Sequence, residues 1–303
     1  MLYLLSLFAG IILAIQSPLS VNLGKKIHSP ILSSLITYII GSFEFIVLLL
    51  ILQINIPNLI TTTFSHGFPW LIGGFMGAIY ITSIIILFPK LGPIKAVIYP
   101  TLGQILSGIL IDSFGLFKMP TSTMNLIKFI GVLLLIAGVI FSAYSPKKQT
   151  TTNQRNDLLY SVWAFIAGIL STLQGIFNAN LGVELNNTIG STFIAFLFGT
   201  VLLLIVVFIT RQFTVPNLIV GLTSPIGWLA GTIGATFVLS ITFLTPILGP
   251  GLTVSMTLIA TMISSAIIEH FGFLRVVQNR ITRQKIIGII IFILGIIFIK
   301  IVG

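Results

Sequence analysis

Residues 2–24 read LYLLSLFAGIILAIQSPLSVNLG and decide the fold of this chain, because they form an apolar run long enough to cross a lipid bilayer. The hydrocarbon core of a bilayer is about 30 Å thick, and a helix needs about twenty mostly apolar residues to span it. Residues 160–182, YSVWAFIAGILSTLQGIFNANLG, repeat the pattern with the glutamine, the last asparagine and two glycines at matching positions. The chain therefore contains two copies of one membrane helix.

Similar apolar runs occur on both sides of this pair and predict an all-α membrane protein with ten transmembrane helices. The predicted spans are 2–20, 31–52, 70–88, 94–111, 126–144, 159–178, 191–209, 227–244, 251–268 and 286–302. Transmembrane β-strands would be about ten residues long and alternate in polarity, which these runs do not. Only 7% of the 303 residues are charged, whereas soluble domains carry roughly a quarter, so the bilayer is the expected solvent.

The whole chain divides into two similar halves, offset by 157 to 159 residues. Beyond the first spans, the matches include Gly41 with Gly199, 57–60 with 216–219, 91–93 with 248–250, Asp112 with Glu269, and Lys128 with Lys285. A chance alignment of apolar segments would match Ile and Leu, but it would not keep polar residues and Gly-Pro pairs in order. We therefore predict a first five-helix repeat over 1–145, a cytoplasmic linker over 146–158 and a second repeat over 159–303.

Each repeat contains an odd number of spans, so the second must lie inverted in the membrane relative to the first. This is the plan of many secondary transporters, in which the substrate site lies near the bilayer midplane between the repeats. With the N-terminus outside, twelve Lys and Arg residues fall inside and three outside, as the positive-inside rule requires. The net charge of +10 is explained in this way, without nucleic-acid binding.

These features resemble the drug/metabolite transporter superfamily, and more narrowly a fusion of two YdcZ-like, EamA-related five-span units. The resemblance is carried by the five-span repeat, by the Gln…Asn-Leu-Gly pattern at 16–24 and 174–182, and by the Leu-Gly-Pro turns. It implies a ten-helix carrier of the inner membrane that works by alternating access, often as an exporter. Better-known ten-helix relatives keep both termini in the cytoplasm, whereas the charge count here places both outside.

Five polar residues of the spans are candidate substrate-binding residues. Gln16 and Gln174 occupy matching positions late in the first and sixth spans, so we expect them to face one cavity; helix-to-helix hydrogen bonding is the alternative. Glu44 lies near the middle of the second span and is either a coupling carboxylate or a structural one. Asn22 and Asn180 lie nearer the helix ends, where helix caps compete with substrate contacts.

Two Gly-Pro pairs, Gly92-Pro93 and Gly249-Pro250, separate neighbouring spans and are predicted hinges, because glycine and proline end a helix and permit a tight reversal. The chain has no cysteine, no clustered histidines and no Walker motif. We therefore expect no catalytic residue, no metal and no cofactor.

The leading hypothesis is a secondary active transporter in the cell membrane. Its partners would be a small molecule, H⁺ or Na⁺ as a coupling ion, and the lipid bilayer, and it would be a monomer or homodimer. The alternatives are a membrane channel and an intramembrane lipid-modifying enzyme. The enzyme would need a second polar catalytic group at the depth of Glu44.

Overall fold

A computed structural model describes residues 1–65, 71–119, 121, 124–143, 154–276, 278 and 280–299. The regular structure of these residues is entirely helical. Its α-helices are α1 (Leu2–Lys26), α2 (Pro30–Ile51), α3 (Ile56–Ser65), α4 (Ile72–Phe114), α5 (Leu126–Ala143), α6 (Gln154–Glu184), α7 (Thr188–Ile209), α8 (Val215–Leu222), α9 (Pro225–Leu248), α10 (Pro250–Phe271) and α11 (Arg283–Ile297). One-turn 3₁₀ helices at Leu116–Lys118 and Phe273–Arg275 follow α4 and α10.

Eight helical segments in the described part of the chain are long and apolar enough to cross a membrane. They are Leu2–Lys26, Pro30–Ile51, Ile72–Leu91, Lys95–Phe114, Asn156–Glu184, Thr188–Ile209, Pro225–Leu248 and Pro250–Phe271. The predicted fifth and tenth spans correspond to α5 and α11, which have 18 and 15 residues. At 1.5 Å per residue, α11 is shorter than the hydrocarbon core. The chain is thus a multi-pass membrane protein with eight clear spans.

The long helix α4 contains two of these spans, and they run in opposite directions. Successive contacts with α6 join Gly77 to Gln174, Lys90 to Tyr160, Lys95 to Asp157 and Gln104 to Thr172. With increasing residue number along α4, the contacts therefore approach the N-terminus of α6 and then return towards its C-terminus. The first span ends at Leu91 and the second begins at Lys95, so the chain reverses between these two residues.

Corresponding glycines of the two halves make the same kind of helix crossing. A methyl group placed on Gly10 would lie 2.0 Å from the carbonyl oxygen of Thr257, so α1 and α10 touch through their backbones. A methyl group on Gly168 would lie 2.0 Å from the carbonyl oxygen of Pro100, which brings α6 equally close to α4. Gly168 matches Gly10 and Pro100 matches Thr257 at the repeat offset. The two halves therefore pack on each other reciprocally at these positions.

Contacts between helix ends show which ends lie together at each of the two faces of the bundle. On one face Lys26 Nζ donates a hydrogen bond to Ser224 Oγ at 3.0 Å. On the other, the Lys118 Nζ and Glu184 Oε1 atoms are 3.2 Å apart. Among the described residues, the first face carries Lys25, Lys26, Lys90, Lys95, Arg211, Arg275, Arg280, Arg283 and Lys285, and we call it the basic face. The opposite face carries Lys118 and Lys128, so the charge asymmetry used for the predicted orientation is present.

The largest apolar cluster lies where α2 and α7 pack together, flanked by α4 and α9. At its centre the rings of Tyr38 and Phe196 stack with 4.8 Å between their centroids. Close packing here depends on Gly41 and Gly199, because a methyl group on either would lie 2.3 Å or less from the opposing ring. This cluster holds α2 and α7 beside the more polar centre of the bundle.

Candidate functional site

Three small adjoining cavities lie at the centre of the bundle, between α1, α4, α6, α9 and α10. Their volumes are about 30, 30 and 50 Å³, enough for one or a few water molecules each. The first and second share Phe237 and Val238 in their walls, and the second and third share Tyr80. We call them the central cavities. Polar side chains from both halves line them.

Gln16 and Gln174 lie in neighbouring members of the central cavities, and each is 7% exposed. The Gln16 amide lies against Gly234 of α9, with its nitrogen 2.6 Å from where a Cβ would be. The Gln174 amide lies against Gly77 of α4, with the corresponding distance 2.4 Å. Gly77 and Gly234 match at the repeat offset, so equivalent amides of α1 and α6 each pack against an equivalent glycine. No hydrogen bond ties either amide to another residue that the structure describes.

A second polar group in the central cavities comes from Tyr80, Gln104 and Ser171. The Tyr80 hydroxyl lies close to both of the other side chains. Gln104 Nε2 also donates to Ser171 Oγ at 3.1 Å, and Thr172 Oγ1 donates to the Gln104 carbonyl at 3.3 Å. Gln104 is not among the residues predicted from the sequence, because its counterpart in the second repeat is a threonine. An amide at the middle of the fourth predicted span was nevertheless a usable signal.

Asn22 and Asn180 lie outside the central cavities, one at each face. Asn22 Nδ2 donates to the Leu274 carbonyl, and Asn180 Nδ2 donates to the Phe117 carbonyl, each at 2.7 Å. Leu274 and Phe117 match in the repeat, and both have left-handed backbones, with φ of 56° and 57°. The two asparagines thus secure the 3₁₀ turns that follow α10 and α4. As candidate substrate ligands they are engaged by backbone in this conformation.

Glu44 lies at the contact of α2 with α9, apart from the residues that line the central cavities. It is half-buried, and its Oε1 accepts a hydrogen bond from the Thr232 hydroxyl. Thr232 itself is exposed, and the neighbouring rings of Phe43 and Trp228 meet edge to face near the outside of the bundle. The structure therefore does not bring Glu44 together with Gln16 and Gln174.

Both predicted hinges lie between neighbouring spans. Gly249 has φ 80° and ψ 152°, and it ends α9 one residue before Pro250 begins α10. A positive φ favours glycine because it has no Cβ. Gly92 and Pro93 lie at the reversal within α4, between the spans Ile72–Leu91 and Lys95–Phe114.

A larger cavity of about 360 Å³ lies at the opposite face, lined chiefly by residues of α4, α5 and α10. Asp112 and Lys128 both line it, and Asp112 Oδ2 accepts a hydrogen bond of 2.7 Å from the Gly251 N–H. The matching residues on the basic face, Glu269 and Lys285, form an ion pair of 2.8 Å. Equivalent acid and base positions thus enclose a cavity at one face and pair directly at the other.

Comparison with known proteins places the chain in a family. The sequence profile of the family described as "Putative inner membrane exporter, YdcZ" matches residues 1–141 and again 159–298. A solved structure titled "Crystal structure of protein" superposes with a TM-score of 0.67 at 14% identity, covering 98% of this chain and 96% of that chain. At this identity the likeness concerns the fold alone. None of the curated proteins matches the chain. In the described residues no three His, Cys, Asp or Glu side chains are grouped as metal ligands.

Proposed function

The chain belongs to the YdcZ family of membrane exporters within the drug/metabolite transporter superfamily, and on this basis we propose that it is a secondary carrier exporting a small molecule by alternating access. Family membership indicates a transporter rather than an enzyme and places the protein in the cell membrane. The substrate would bind in the central cavities, between the two halves.

The proposed architecture is ten spans arranged as two inverted repeats. The family profile matches the chain twice, which supports two units. The reciprocal glycine crossings of α1 with α10 and of α6 with α4 support a twofold relation between them. In this arrangement α5 and α11 would be the fifth and tenth spans, with their ends in the interfacial region. Inverted repeats allow the same contacts to be exchanged between two states, which is what alternating access requires.

The observation that carries the proposal is the pair of buried amides at Gln16 and Gln174. A buried amide without a hydrogen bond is costly, so such groups need a partner such as water or a bound molecule. The two amides approach from opposite halves, and each borders a cavity large enough for water. A substrate between them would contact both repeats, so its binding would depend on their relative position. Larger substrates require these cavities to expand, so the present conformation is a closed one.

A comparison of cells that lack the protein with cells that overproduce it tests the carrier function. We expect at least one small molecule to accumulate inside the deletion cells and outside the overproducing cells. Gln16→Ala and Gln174→Ala should each weaken this export at unchanged protein level, because they remove the proposed substrate contacts. Asn58→Ala, at an exposed position of α3, is the control. Absence of any change in the metabolite profile would contradict the proposal, as would full export by both glutamine variants.

The orientation proposed from the positive charges is tested separately by cysteine labelling, since the chain has no native cysteine. A single cysteine at Thr151, in the linker outside the described residues, should resist a membrane-impermeant reagent in intact cells. One at Asn187, on the opposite face, should react. Reversed reactivity would place the basic face outside.

A further inference from the structure

We infer that the substrate of the central cavities is an electrically neutral molecule with an aromatic or other flat apolar body and at least one hydrogen-bonding amide-like group. The inference rests on the proposed function, because it concerns the molecule that would be transported. It depends on the chemical nature of the cavity walls and on where the charged residues of the chain are located.

The walls of the central cavities contain no charged side chain among the residues that the structure describes. Their polar groups are amides and hydroxyls, chiefly those of Gln16, Gln104, Gln174, Tyr80 and Ser171. Amides and hydroxyls donate and accept hydrogen bonds but cannot neutralise an ion.

All five acidic residues of the chain are described, and all lie elsewhere. Three of them, Asp157, Glu184 and Glu269, form ion pairs with lysines at the two faces. Asp112, near the end of α4, accepts a hydrogen bond from the start of α10, and Glu44 is bonded to Thr232 at the contact of α2 with α9. A cationic substrate would find no carboxylate in the centre, and an anionic substrate would find no lysine or arginine there.

Ions are strongly discriminated against in such a site. Removing an ion from water is unfavourable, and the loss is recovered only by an opposite charge with good geometry and further hydrogen bonds. A neutral amide or hydroxyl group loses less on transfer and can be matched by one or two hydrogen bonds. The central cavities provide the second kind of partner and not the first.

The α4 and α9 walls of the site also differ in polarity, which predicts how the substrate lies. Gln104 is hydrogen-bonded to Ser171 and Tyr80 lies beside them, so polar side chains border the cavities on the α4 side. The residue matching Tyr80 in the second repeat is Phe237, which has no hydroxyl and separates the cavities of Gln16 and Gln174. We expect the polar group of the substrate to lie towards Gln104 and its apolar body to lie towards Phe237.

The first test sorts the metabolites that respond to deletion and overproduction by their net charge at pH 7. The inference requires the exported molecules to be neutral, and it is overturned if they carry a net charge. A profile in which no molecule changes would instead contradict the carrier function itself, so the two failures are distinguishable. This test uses the wild-type chain and does not depend on a variant folding.

The second test introduces a charge and uses three probes of one shape: benzamide, the cation benzamidine and the anion benzoate. Wild-type protein should be stabilised against heat by benzamide at concentrations at least about tenfold lower than by either ion. Gln174→Glu should improve benzamidine binding by at least about tenfold, because it supplies the missing counter-charge. Gln16→Glu, at the matching position, is the second variant, and Asn58→Asp adds the same charge at an exposed site as a control.

Preference of the wild-type protein for either ion overturns the inference. So does a folded Gln174→Glu or Gln16→Glu protein with no gain in benzamidine binding, because the amides would then not face the ligand. Stabilisation by none of the probes in both the wild-type protein and the glutamate variants counts against it in the same way. A gain shared by Asn58→Asp would show that the cation responds to general charge and would also overturn it.

Discussion

Equivalent acid and base residues occupy the two faces of the bundle, but they are packed differently. At the basic face Glu269 and Lys285 are 12% and 19% exposed and form an ion pair. At the opposite face Asp112 and Lys128 border a cavity of about 360 Å³, and Asp112 binds the backbone of Gly251 instead. Acidic and basic residues at matching repeat positions therefore form an ion pair at one face and border a cavity at the other.

Under the proposed alternating-access mechanism, this difference would correspond to two halves in different states. In a carrier made of inverted repeats, the second state is obtained by exchanging the conformations of the two halves. The proposed cycle would then open the Glu269 site and close the Asp112 site in turn. Comparing variants at matching positions distinguishes features that both halves share from features that belong to one state.

The largest effect is expected where the halves are most alike, at the glycine crossings. Gly10→Ala and Gly168→Ala each force a methyl group into a backbone carbonyl at 2.0 Å, so each should lower stability by about 3 kcal/mol or more. Gly24→Ala, on the same helix as Gly10, meets its nearest neighbour at 3.4 Å and should be nearly neutral. Thermal unfolding of the purified proteins in detergent measures the three. A severe loss for only one of Gly10 and Gly168 would break the reciprocity.

The next effect is expected to be unequal between the two faces. Glu269→Gln removes the charge that pairs with Lys285 and should lower the free energy of unfolding by about 2 kcal/mol. Asp112→Asn keeps an oxygen to accept the Gly251 N–H and should cost about 1 kcal/mol or less. The unfolding temperatures of the two isosteric variants provide the measurement. Equal losses would mean that the two faces are energetically alike despite their different packing.

A smaller and equal effect is expected at the two asparagines. Asn22→Ala and Asn180→Ala each remove one hydrogen bond to a carbonyl in a left-handed turn, which is worth about 1 kcal/mol. Both variants should lose stability to the same extent and keep the substrate preference of the wild-type protein. A change of selectivity in transport assays, with stability preserved, would assign these residues to the substrate after all.

The smallest effect is expected at Glu44. Glu44→Gln keeps the shape of the side chain and an oxygen to accept the Thr232 hydroxyl, so stability should change by less than about 0.5 kcal/mol. Because Glu44 lies apart from the central cavities, transport and its dependence on pH should also persist. Loss of gradient-driven export at a normal protein level would restore Glu44 as the coupling carboxylate, the other role that the sequence leaves open.

Much of the architecture could be predicted from the sequence because it depends on local properties of the chain. Whether a segment enters a membrane is decided mainly by its own hydrophobicity and length, and eight of the ten predicted spans are long, apolar helices in the structure. The reversals near Gly92 and at Gly249 follow from the conformational limits of glycine and proline. Internal similarity also identified Gln16 and Gln174 as a pair, and both line the central cavities.

Tertiary structure alone decided which polar residues of the spans reach the centre. A hydrophobic segment says that a helix crosses the membrane, but the rotation of that helix about its axis is set by packing against its neighbours. For this reason Glu44 lies at the outer contact of α2 with α9, while Gln104 and Tyr80 join the central cavities. The same packing paired Glu269 with Lys285 and left a cavity beside Asp112, although both sites have an acid and a lysine at matching positions.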